Sequence, residues 1–138
     1  RLMAEDRFPV CSPALAVGPP RLERLEDLRG QTLIHDEDFF GWPEWLAAAG
    51  VDGVDVARGP VYSNSNLAVD AAINGDGILL ARSVLVTDAL AGGRLVKPFD
   101  VSQPARMAYY LACTEAALNR PRVAAFRGWL LDEIAAGR

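Results

Sequence analysis

The sequence predicts an α/β fold: a mainly parallel sheet covered by helices on both faces. Strand-like and helix-like segments alternate along the chain, and one central stretch shows that alternation in miniature. Half of the 138 residues are apolar, enough for a domain with its own core. The central stretch, residues 61–82 (VYSNSNLAVDAAINGDGILLAR), reads as strand end, polar turn, buried helix, glycine turn and buried strand. Asn66, Asp70 and Asn74 recur at i, i+4 and i+8 among Leu67, Ala68, Val69, Ala71, Ala72 and Ile73, so one narrow stripe faces water and the remainder packs. Ser63, Asn64 and Ser65 precede that helix. Such side chains cap helix starts and leave N–H groups directed out of the N-terminus, where an anion or a ligand carboxylate is stabilised.

Taken in order, residues 7–12 (RFPVCS) form a short apolar strand that Pro13 turns, and Pro19 and Pro20 mark a loop. Leu22, Leu25 and Leu28 give a short amphipathic turn closed by Gly30, and residues 32–35 read as a strand ended by His35. The acidic-aromatic loop 36–41 leads into a helix over 42–49, with Pro43 in its first turn and Gly50 as its stop. A short strand is expected at 54–57, between Gly53 and Gly59. Residues 83–91 read as a helix ended by Gly92 and Gly93, and 95–99 as a strand with Lys97 on its exposed side. Residues 100–104 are a linker, and the stretch 98–104 is the expected hinge. The run 107–113 (MAYYLAC) is a continuous apolar strand. The last element, a helix over 121–136, carries Val123, Phe126, Trp129, Leu130 and Ile134 on one face. Neither this strand nor this helix has an obvious partner in the sequence.

Composition excludes several functions. Fourteen basic and 18 acidic side chains give a net charge of −4, so no overall positive field draws the chain onto nucleic acid or an anionic membrane. No apolar run approaches bilayer length, and the opening RLMAEDRFPV lacks the order of a secretory signal, so a cytoplasmic segment is expected. Cys11 and Cys113, both in apolar surroundings and far apart in sequence, fit reduced core thiols better than a disulfide framework. His35 with Asp36, Glu37 and Asp38 lacks the spaced ligand set of a zinc site, and the H-x-E echo is not followed by P-C-x-x-C. Gly75-Asp76-Gly77 follows a helix and precedes a strand, the reverse of a dinucleotide motif, so it reads as a cap and turn. With no G-x-S-x-G, no enzyme activity, metal or cofactor is expected.

Several segments, taken together and in register, resemble the effector-binding domain of LysR-type transcriptional regulators, in the subgroup of glycine cleavage activators and β-lactamase regulators. They are FPVCSPALA (8–16), LEDLRGQTLIHD and WPEWLAAAG (within 25–50), AAINGDGILLAR (71–82), GRLVKPF (93–99), AYYL (108–111) and AFRGWLLDE (125–133). The resemblance implies a type II periplasmic-binding-protein-like fold, in which two α/β subdomains are joined by two crossovers and hold a small molecule in the interdomain cleft. Residues 1–12 would be the crossover into the second subdomain, 8–103 that effector-binding subdomain, and 104–138 the return crossover with the C-terminal part of the first. The winged helix-turn-helix of such regulators is absent from these residues, which by themselves are not expected to bind DNA specifically.

The implied function is that of a ligand-sensing regulatory domain. Its implied partners are a small polar effector, a second copy in a homodimer or homotetramer, promoter DNA through the winged helix-turn-helix, and RNA polymerase; no membrane is involved. A solute-binding receptor of the same fold is the alternative, and a signal peptide upstream of Arg1 would mark it. The resemblance puts Asn64, Ser65, His35, Asp36 and Tyr109 toward the effector. At the opposite crossover, a hydroxyl or N–H of Cys11 and Ser12 would complete the cage. A plain helix cap, a solvated loop and a strand-to-turn transition remain the other readings of 63–66, 35–38 and 11–13. Trp42, Trp45 and Trp129 are expected in the core.

Overall fold

Short unbroken apolar runs, such as those at 33–34 and 78–81, suit strands buried on both faces. In the computed structural model, which describes residues 1–36 and 41–137, these runs are the centres of β2 (Leu33–Asp36) and β4 (Ile78–Arg82). The two strands pair in parallel, with Leu33 opposite Ile78 and Ile34 opposite Leu79. On the far side of β2 lies β3 (Val61–Tyr62), also parallel. On the far side of β4 lies β1 (Met3–Val10), antiparallel, with Arg7 opposite Arg82 and Val10 opposite Leu79. The sheet order is β3-β2-β4-β1-β5, β5 being Gln103–Tyr109.

The chain divides into a larger unit, Asp6–Pro104, and a smaller one made of Arg1–Glu5 and Ala105–Arg138. In the larger unit the strand period of two sorts the core onto two faces. Phe8, Val10, Ile34, Leu79 and Ala81 pack with α3 (Ser65–Ile73) and α4 (Ser83–Ala91). Cys11, Leu33, Ile78 and Leu80 pack with Leu28 and with Trp42, Trp45 and Leu46 of α2 (Trp42–Ala49). Gly50 ends α2 in the left-handed conformation, φ 71°, as its sequence position predicts. The glycine pair after α3 is the expected turn: Gly75 has φ +87°, and a Cβ on Gly77 would stand 2.5 Å from the Thr32 carbonyl oxygen.

Several expectations need correction. Pro13 opens a helix, α1 (Pro13–Val17), because Ser12 caps it: the Ser12 hydroxyl accepts from the Leu15 N–H at 3.3 Å. No strand forms at 54–57, where the Asp55 carboxylate accepts from the Ala57 N–H at 3.1 Å and closes a turn. Of residues 95–99 only Val96 bridges, to Cys11; Leu95 and Phe99 go to opposite faces of the sheet. The last strand is Gln103–Tyr109 instead of 107–113. It tolerates Pro104, which has no N–H to donate, because an outermost strand leaves one side of its backbone unpaired. Ser65 is the first residue of α3 and not part of the turn before it, and Leu67 is 53% exposed, outside the packed face.

The smaller unit contains α5 (Glu115–Leu118), capped by Thr114, and α6 (Pro121–Ala135). Trp129 is 56% exposed and not core, since the apolar stripe of α6 stays open among the described residues of this unit. Its ring stacks on Phe126, 5.8 Å between centroids.

Candidate ligand site

Parallel β2 and β4 end side by side, and what lies beyond their carboxyl ends follows from the register. Asp36 is the last residue of β2 and Arg82 the last of β4, and the antiparallel pairing of β1 sets Arg7 directly opposite Arg82. The helix start of α3 comes to the same edge. Asn64 caps it, its side-chain oxygen accepting from the Asn66 N–H at 2.8 Å. The next residue, Ser65, donates its hydroxyl to the Asp36 carboxylate at 3.2 Å, and the Arg82 guanidinium donates to the same hydroxyl oxygen at 3.5 Å. One hydroxyl thus sits between a carboxylate and a guanidinium, at a helix end whose first turn carries no acidic side chain.

Asp36 also lines a recess of about 10 Å³, room for roughly one water, together with Arg7, Ile34, His35, Gly41, Trp42 and Leu80. Trp42 is fixed by its indole N–H, which donates to the Ile34 carbonyl at 3.0 Å. His35 adds a ring nitrogen, Nε2, that is buried without a hydrogen-bond partner among the described residues. So small a recess does not engulf a metabolite; it has room for one polar atom of a larger molecule.

The sequence-predicted residues separate into groups. Asn64, Ser65, His35 and Asp36 meet at the carboxyl edge of β2 and β4. Cys11 and Ser12 do not join them. They follow the end of β1 that pairs with the start of β4, so they lie at the opposite edge of the sheet. There Cys11 is fully buried and burial pushes its thiol up to about 11, while Ser12 caps α1 and lines an open groove of about 520 Å³ with Asn74 and Gly75. Tyr109 stands on β5 in the smaller unit and is 39% exposed. Glu37 and Asp38, read as a solvated loop, lie outside the described residues. Arg7 and Arg82 come to this edge without having been expected there, and Trp42, buried in the core as expected, also lines the recess. Arg7 carried a signal as a charge directly before the apolar residues 8–11, and the structure leaves it only 6% exposed.

The comparisons with known proteins speak to the family and the fold. The family model described as the LysR substrate binding domain matches residues 1–135. The chain is 38% identical over 136 residues to the glycine cleavage system transcriptional activator of Escherichia coli, covering 99% of this chain and 45% of that protein. It is 35% identical over 108 residues to the HTH-type transcriptional activator AmpR of Providencia stuartii, covering 78% of this chain and 36% of the relative. The chain therefore spans less than half the length of these relatives, which are regulators of transcription and not transport receptors. Among solved structures, the effector domain of AmpR from Pseudomonas aeruginosa matches with a TM-score of 0.74 and 25% identity, over 99% of this chain and 64% of that one. The chain, with its periplasmic-binding-protein-like fold, belongs to the LysR substrate-binding-domain family of transcriptional regulators.

Proposed function

We propose that the chain is the ligand-sensing part of a transcriptional regulator and that a small polar metabolite lodges over Ser65, Asp36 and Arg82. The observation that carries this reading is the Ser65 hydroxyl, held between the Asp36 carboxylate and the Arg82 guanidinium at the capped start of α3. Open α/β sheets collect ligands at such a place, beyond the carboxyl ends of their strands. Both signs of charge and a hydroxyl are within one hydrogen-bonded group, which favours acids, amino acids and similar metabolites over apolar molecules.

Binding acts by population shift. A compound that binds one conformation more tightly than another by about 1–3 kcal/mol changes a coupled affinity several-fold to a hundredfold. The coupled event is promoter binding by parts of the protein outside this chain, in a cytoplasmic homodimer or homotetramer that also meets RNA polymerase. The role needs no catalytic group.

The test is a calorimetric titration of the standard amino acids and short carboxylic acids against the protein. At least one compound is expected to bind saturably, and Ser65→Ala and Asp36→Asn each weaken it about tenfold, some 1.4 kcal/mol. Saturable binding that both variants leave unchanged would remove the site.

A further inference from the structure

Trp45 stands behind the recess without opening onto it, 3% exposed. Its ring meets that of Trp42 edge to face, 5.9 Å between centroids at 83°, and its indole N–H donates to the carbonyl of Arg7 at 3.2 Å. Trp42 and Arg7 are both walls of the recess. The backbone of the same residue makes a third link, its carbonyl accepting from the Gln103 side-chain amide at 3.0 Å. Arg7 lies on β1 and Gln103 begins β5, and these two strands are the segments that run between the two units. A single residue therefore touches two walls of the recess and ties down both connecting strands.

We propose that Trp45 is a positioning residue that passes the state of the recess to both connecting strands. Protein interiors are close-packed, so a sub-ångström shift of Trp42 or Arg7 is not absorbed by compression. The indole either follows the shift or gives up its buried hydrogen bond to Arg7, and leaving a buried donor unpaired is costly. When α2 follows, the Trp45 carbonyl carries the Gln103 amide with it, so both strands respond to one side chain. Coupling between distant sites needs such an either-or element, which the packed indole would supply.

The regulatory meaning of the link rests on the ligand reading above, but the link itself does not, and its test contains no small molecule. Asp36→Asn perturbs the recess, and hydrogen exchange at the backbone amides of residues 103–109 reports on the far strand, in the whole protein. Trp45→Phe keeps a ring and removes the N–H; Gln103→Met removes the other bond and leaves the buried tryptophan pair intact should Trp45→Phe not fold. Asp36→Asn is expected to change exchange at 103–109 by at least about threefold in the parent, and by less than about 1.5-fold in either variant background. A tryptophan that merely fills space would speed exchange generally while the response to Asp36→Asn kept its size. That outcome, or no response in the parent, overturns the proposal. Should no compound bind while the cycle shows coupling, the ligand reading falls and the link stands.

Discussion

Two thiols in one chain differ because one is inside and the other is not. Burial pushes Cys11 up to about 11, so near neutral pH it holds almost no thiolate, the form that reacts, whereas Cys113 is exposed. Iodoacetamide is expected to label Cys113 in the native protein and Cys11 only after denaturation, as mass spectrometry of the labelled peptides would show. A second residue with a distinct signature is Asp27, whose carboxylate accepts from the backbone N–H groups of Glu23 at 2.9 Å and Arg24 at 2.8 Å. These bonds hold its pKa below the ordinary value. A depressed carboxylate stabilises the fold above its unfolded pKa and loses that contribution as the pH falls through the lowered value. Asp27→Ala should therefore lower the unfolding midpoint at neutral pH, and the gap to the parent should close in acid, below about pH 4. Asn64→Ala removes the cap of α3 and is expected to cost about 1 kcal/mol in denaturant unfolding. Asn64 and Ser65 were legible in the sequence because capping is local chemistry. Arg7 and Arg82 were not, because they meet only through the antiparallel register of β1 on β4, a long-range pairing.

Among elements, those with punctuation at both ends were read closely. α2 begins at Trp42 with proline behind it and stops at Gly50, and α4 ends at Gly92, as the residue types dictate. Elements whose signal was ambiguous shifted. Pro13 can end a strand or open a helix, and the Ser12 cap decides for the helix. Pro104 breaks a central strand but not an outer one, and nothing local says that β5 is outermost. Pairing of β2 with β4 carries the larger unit, and Leu33 at its centre is fully buried. Leu33→Ala is expected to cost about 2–5 kcal/mol in chemical unfolding, the range for truncating a packed leucine.

At the scale of the whole molecule, the fold class was legible because alternating strands and helices with uninterrupted apolar strands leave few architectures open. The candidate site was legible only in part: the α3 start and the end of β2 do meet at one sheet edge, but Cys11 and Ser12 lie at the other, because their strand runs the other way. With a net charge of −4 the chain presents no overall positive field to DNA, so on the proposed reading an effector at this sheet edge acts on promoter binding through other parts of a regulator. The most direct measurement is promoter-DNA affinity of the whole protein, with and without a saturating amount of the tightest-binding compound from the panel. A change of about 5–150-fold is expected, and Ser65→Ala should shift it to higher compound concentration. A compound that binds through Ser65 and Asp36 yet leaves DNA affinity unchanged would contradict it.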